Sequence, residues 1–326
     1  MEKQVKFYYE SYMNKIRFTF LLFIMAVFIP GKGTARNTGD AIFHLTRQKS
    51  GHYTFAANIN HKLKATVLLE SAIHVLLIDS AFVFDNPEIF DLDIIPNPRD
   101  EKMNLGGKTY RISHKATGQL NIGNHTSYRG EIFILAGYAT SYEMALPIQN
   151  LYNNSDNGSR IVKLDLTACR LQMISRDALD KEKKEHAKLK MNSDTYLKMP
   201  AVRTTLKILN EGKTKLLKGN FNLDFGNASF LFLFDQNKAV QRFLRANPDI
   251  KLQKAYNKAG KEIAAAMIAK DCELCDLYFK NPVIAVTKLL PRFTTTGNIG
   301  IKFFEEVVAV FDFKTSSLYF SKRKPD

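Results

Sequence analysis

Cysteine is scarce in this chain of 326 residues, occurring only as Cys169, Cys272 and Cys275. Cys272 and Cys275 form a lone C-x-x-C. Tetrahedral zinc needs four ligands, and no second pair or nearby histidine pair supplies the rest. A thioredoxin-like role would want a βαβ context, which the pattern lacks. A local disulfide or free thiols remain. Acidic residues are also short, 32 against 47 Lys and Arg, for a net charge of +15. The basic residues are scattered, with no long basic run, RNP-like aromatic motif or zinc-finger spacing, so the charge reads as solubility and no nucleic-acid partner is expected. Long apolar runs are missing too. The segment "FTFLLFIMAVFI" has 12 residues, too short to span a bilayer comfortably. It follows Lys15 and Arg17 and precedes "PGKGTA", which ends at Ala35. A basic lead, a short apolar stretch and small residues before a cut describe a secretory signal over residues 1–35. No cysteine follows it, so a lipobox is absent. The alternative is an uncleaved anchor, the only membrane contact expected.

What is present is alternation. "YTFAANI" (53–59), "LKATVLL" (63–69) and "AVRTTLKIL" (201–209) alternate apolar with other residues, the period of a half-buried strand. "EIFILAGY", "PVIAVTK" and "EVVAVFDF" are short β-branched or aromatic runs, and Phe230, Phe232 and Phe234 mark one side of a core strand. Helices are expected to be few: "NKAVQRFLRA" (237–246), "KEIAAAMIAK" (261–270) and the charged "DALDKEKKEHAKLK" (177–190), read as a solvated linker. The expected organisation is a β lobe over 36–175, a charged linker helix over 176–198 and a second β lobe over 199–326. The seven histidines are dispersed. His52 and His61 flank a strand-like run and are read as surface or turn residues, with no metal or Ser-His-Asp site expected.

The two halves echo each other. "KLDLTACRLQM" and "VFDFKTSSLYF" both place a carboxylate between apolar residues, with a leucine six positions later. Asp165 and Asp312 stand 147 positions apart. A carboxylate in a different apolar stretch, Asp224 in "KGNFNLDFGNASFLFLF", should then have a counterpart upstream. An unpaired charge in such a run is costly to bury, so Asp224 belongs at a turn or a site that needs it. "KATVLLESAIHVLLIDS" offers Glu70 and Asp79, and spacing alone does not choose between them.

These residues resemble the pepsin-like and retropepsin-like aspartic peptidases, including exported bacterial members. In that family each lobe is a small β-barrel whose strand ends in Asp-Thr/Ser-Gly, braced by a later hydrophobic-hydrophobic-Gly segment. "FNLDFGNAS" resembles the second-lobe motif, with Asp224 and Gly226 in place. "GNIGIKFFEEVVAVFDFKTSSLYF" (297–320) is similar to the closing segment, with Ile299 and Gly300 as brace. In lobe one the pattern lays Glu70, Ser71 and Ala72 on the motif and leaves Asp79 on a trailing Asp-Ser, which favours Glu70 with Asp79 as the alternative. The lobe-one brace is expected near "IQNLYNN", around Leu151.

The resemblance implies a mostly β, two-lobed fold with a few short helices. It implies a carboxylate pair that needs no metal or other cofactor, a peptide or protein as substrate or ligand, and export to the periplasm or cell envelope. Two carboxylates sharing a proton give one base and one acid; aspartic proteases are the standard illustration of this chemistry. The family's Thr or Ser hydroxyl ties the loops together across the pair. Departures stand at Glu70, one methylene longer than aspartate, at Ala72 in place of glycine, and at Phe225 in place of a hydroxyl. Two functions follow: hydrolysis of peptide bonds, or a catalytically silent module that binds an extended peptide in the same cleft.

Overall fold

The computed structural model describes residues 41–105, 108–138, 142–184, 186–193, 198–210, 212–256, 262–287 and 294–322. The expected signal over 1–35 lies outside them. No helix among the described residues is long and apolar enough to cross a membrane.

Two lobes repeat one strand wiring. In lobe one the strand Leu63–Glu70 pairs antiparallel with Tyr53–Ile59 and parallel with Met144–Pro147, which sets Glu70 opposite Pro147. Met144–Pro147 pairs antiparallel with Leu76–Asp79, and that strand runs parallel to Thr126–Ala136. In lobe two Lys213–Asp224 pairs antiparallel with Pro200–Asn210 and parallel with Gly297–Gly300, which sets Asp224 opposite Gly300. Gly297–Gly300 pairs antiparallel with Leu231–Phe234, which runs parallel to Val283–Thr287. In each lobe, therefore, a strand ends on a carboxylate and a short braced strand lies beside it. All four residues of Leu76–Asp79 are buried, as are Leu231, Leu233 and Phe234. Strands covered on both faces need the near-continuous apolar runs seen in the sequence.

The lobes share a base sheet. The hairpins Ile161–Asp165 with Arg170–Met173, and Val307–Asp312 with Ser317–Lys322, meet antiparallel, Ile161 opposite Asp312 and Asp165 opposite Val308. Ala41–Arg47 flanks one side and Ala187–Ser193 the other, giving six strands among the described residues. The echo at Asp165 and Asp312 has a local cause. Each aspartate accepts backbone N–H groups in its own hairpin turn, from Ala168 at 3.0 Å and from Lys314 at 3.1 Å. Asp312 is fully buried and also holds Arg176 at 2.5 Å.

Three expectations change. Residues 262–268 form a strand paired with Val283–Thr287 and Gln253–Tyr256 instead of a helix. Alanine suits a helix, but two neighbouring strands offer a full ladder, and pairing outweighs intrinsic preference. The charged stretch is helical only over Arg176–Glu182. Its remainder enters the strand Ala187–Ser193, which joins the base sheet to Pro200–Asn210. The lobe-one brace lies at 144–147, earlier than "IQNLYNN". The helix Lys238–Ala246 forms as expected, capped by Asn237, whose side chain accepts from Ala239 N at 2.9 Å, and it buries Val240 and Phe243.

Candidate functional site

The two carboxylates meet at Gly226. A Cβ placed on Gly226 would lie 2.6 Å from Glu70 Oε1 and 2.8 Å from Oε2. The Gly226 backbone N–H lies near the Asp224 carboxylate and favours its charged form. Gly226 has no left-handed backbone requirement; the Glu70 carboxylate occupies the space a methyl there would take. The backbone N–H groups of Ser71 and Ala72 lie near the Glu70 carboxyl and favour its charged form, a smaller effect than its burial. Ala72 stands where the resembled motif has glycine, yet its backbone is not left-handed, so the alanine carries no strain there.

Each carboxylate has one oxygen without a hydrogen-bond partner among the described residues, Glu70 Oε2 and Asp224 Oδ1. The other Asp224 oxygen accepts from Asn298 Nδ2 at 2.6 Å. Asn298 Oδ1 in turn accepts from Asn222 Nδ2 at 3.1 Å, and Asn222 also donates to Thr295 Oγ1 at 3.0 Å. Burial, then the charge of Asp224, push Glu70 up to about 8. Burial pushes Asp224 up only to about 6, because Asn298, the Gly226 N–H and His52 oppose it. The two titrate as a pair, with Glu70 the protonated member and Asp224 the charged one across neutral pH.

The cross-lobe tie is one-sided. Ser71 Oγ donates to Leu223 O at 2.8 Å and accepts from Phe225 N at 2.9 Å. This single hydroxyl fixes the lobe-two strand end from lobe one. Phe225 has no hydroxyl to answer with. It is fully buried against Phe304 and Phe311, with ring centroids 4.8 and 5.8 Å away. Ile299 is buried behind Asp224, paired with both Leu223 and Leu231. At Gly300 a Cβ would fall 2.3 Å from Ser229 O and 2.6 Å from Asn227 O.

Asp79 serves elsewhere. Its Oδ1 accepts from Ala81 N at 2.9 Å and so caps the short helix Ser80–Phe84, while Oδ2 accepts from Tyr138 N at 2.7 Å. Both oxygens are committed to backbone, so Asp79 frames the site without entering it.

Beside Glu70 lies a cavity of about 310 Å³. Its apolar wall is Leu68, Ile73, Leu77 and Ala145. Across it stand Leu105, Lys108 and Tyr110 of the hairpin Lys102–Leu105 with Lys108–Ile122, then Tyr138 and Tyr142. The three tyrosines stack edge to face, 5.3 and 5.5 Å between centroids. Gln149 secures the loop after Glu70 by donating to Ile73 O at 2.5 Å.

Two residues of the site escape sequence reasoning. Asn298 could have been noticed as the one polar side chain inside the brace "GNIG". His52 carries no sequence signal; it reaches the site from a turn 18 positions before Glu70 and bonds Gly226 O. The three cysteines are free thiols, and burial pushes Cys272 and Cys275 up to about 12, which leaves both inert. Among the described residues no cluster of His, Cys, Asp and Glu could hold a metal ion.

No family model and no curated protein matches the chain by sequence. Solved structures do. An aspartic proteinase from Irpex lacteus aligns over 88% of this chain and 98% of its own, with TM-score 0.53 and 9% identity. Basic 7S globulin from soybean aligns over 88% and 96%, with TM-score 0.55 and 10% identity. At such identities the likeness is one of fold, and the fold is that of the acid proteases: mostly β, two-lobed, with few short helices.

Proposed function

We propose that the cleft binds an extended polypeptide and that Glu70 and Asp224 hydrolyse one of its peptide bonds as a general acid–base pair. One observation carries this reading. Two equivalent strand ends deliver buried carboxyl groups to the same glycine, in surroundings that set their protonation apart. Separated pKa values on adjacent carboxyls are what assigns acid and base. Glu70 keeps its proton and donates a hydrogen bond to the scissile carbonyl oxygen. Asp224 takes a proton from the attacking water, whose oxygen bonds the carbonyl carbon. The C–N bond breaks as Asp224 passes that proton to the departing amine nitrogen and the tetrahedral oxygen re-forms the carbonyl, which leaves Glu70 protonated and Asp224 charged as at the start. The apolar, tyrosine-faced cavity beside Glu70 accepts a large apolar side chain, and the hairpin over it offers strand edges to an extended chain. In the same reading the chain is exported through residues 15–35, which a mature N-terminus near Arg36 in the native host would support and a full-length cytoplasmic product would contradict.

One feature favours the second reading, a silent peptide-binding module: the cross-lobe tie lacks its answering hydroxyl at Phe225. Turnover separates the two. Unfolded protein chains and a peptide library rich in Phe, Tyr and Leu are incubated with the protein between pH 4 and 8. Cleavage is expected, with a loss of about a thousandfold or more in Glu70→Gln and in Asp224→Asn, both still folded. Cleavage unchanged in Asp224→Asn contradicts the assignment, and peptide binding without cleavage establishes the module.

A further inference from the structure

Gly226 is touched from three directions. Its N–H lies near the Asp224 carboxylate, its Cα faces the Glu70 carboxylate, and its carbonyl accepts from His52 Nε2 at 2.8 Å. The third contact crosses the lobes. His52 closes a lobe-one turn in which Gln48 N donates to His52 O at 2.7 Å and Gly51 N to Gln48 O at 2.9 Å. That turn lies on the lobe-two loop: a Cβ on Gly51 would stand 3.1 Å from Ala228 Cβ, and Gly51 has a left-handed φ of +88°. A carbonyl oxygen only accepts, so Nε2 carries the hydrogen. Nδ1 lies 2.9 Å from Ser50 Oγ. Neutral, it accepts from that hydroxyl; protonated, it donates to it. The link to Gly226 holds in both states.

We propose that His52 is a positioning residue of the carboxyl pair, holding the Gly226 peptide from lobe one in place of the tie a hydroxyl at 225 would have made. Ser71 grips the lobe-two strand before the turn, at Leu223 O and Phe225 N, and His52 grips the turn itself. Both grips come from lobe one, which frees Phe225 for the core. When protonated, the imidazole also lowers the Asp224 carboxyl through its charge. The titratable groups sharing that space are Glu70, Asp224, Lys108, Tyr110, Tyr138 and Tyr142. The inference rests on Glu70 and Asp224 as the working pair.

The test compares His52→Ala with His52→Gln in the full chain, by amide hydrogen exchange over residues 225–228 and by carboxyl-resolved NMR titration. Alanine should speed loop exchange about fivefold or more, the loss of one hydrogen bond, and raise the Asp224 midpoint by roughly half a unit. Glutamine, whose amide donates to Gly226 O, should restore exchange protection but not the midpoint. Where cleavage is measured, alanine should lower kcat with little change in KM and shift the acid limb of the pH profile upward. Unchanged exchange and titration in His52→Ala overturn the proposal, as does glutamine behaving like alanine in exchange. Neither readout needs turnover, so a chain that binds without cleaving leaves this test standing.

Discussion

The two halves of the site share one wiring and differ in what lines it. Glu70 ends its strand beside Pro147, with Leu68 opposite Ala145 and an apolar cavity alongside. Asp224 ends the equivalent strand beside Gly300, with Asn222 opposite Asn298 and a chain of buried amides leading to its carboxylate. The lobe-one carboxyl therefore meets chiefly desolvation and rises further; the lobe-two carboxyl meets donors and rises less. A repeated fold thus yields unequal carboxyls through a single layer of neighbours, Ala145 against Asn298.

The strongest break in the comparison is at the braces. Gly300→Ala drives a methyl into two backbone oxygens that have no rotamer to yield, so a loss of about 3 kcal/mol or more is expected in denaturant unfolding. Pro147→Ala, at the matching place in lobe one, should change stability by less than about 1 kcal/mol. Equal costs would mean that the braces bear on their carboxylates alike.

The pH dependence of stability comes next. Both carboxyls are raised in the folded chain, so the native state holds more protons than the unfolded one from about pH 4 to about 8. Their contribution is fully present below the unfolded values and is lost as pH rises through the folded ones. Stability should fall across that window by an amount on the order of a few kcal/mol, measured by unfolding at fixed ionic strength. Glu70→Gln should remove more of the slope than Asp224→Asn. A slope of opposite sign would contradict the burial of the pair.

The smallest of these effects lies at the single hydroxyl. Ser71→Ala leaves Leu223 O and Phe225 N, both buried, without their bonds and should cost about 1–3 kcal/mol. A loss confined to activity, with stability intact, would assign Ser71 to chemistry instead of to the tie.

Much of this was legible from the sequence. The alternating runs and the paired Asp165 and Asp312 hairpins announce a duplicated β fold, and a carboxylate followed by a glycine two positions on, inside an apolar run, announces Asp224. The misreadings have physical causes. The lobe-one brace is hidden because Pro147 stands where lobe two has Gly300, and the Ala-rich 262–268 stretch follows its neighbouring strands instead of its own preference. His52 reads as a surface or turn residue; it closes a turn, and its partner, Gly226, lies 174 positions away. No local pattern encodes a contact between two turns of different lobes.

The central claim is that Glu70 and Asp224 titrate as one unequal pair, and carboxyl-resolved NMR titration tests it most directly. The wild-type chain should show two linked steps, Asp224 near 6 and Glu70 near 8, with the Glu70 step moving down in Asp224→Asn as the neighbouring charge is removed. Two independent carboxyls titrating near their ordinary values, with Glu70 unmoved by Asp224→Asn, would contradict it.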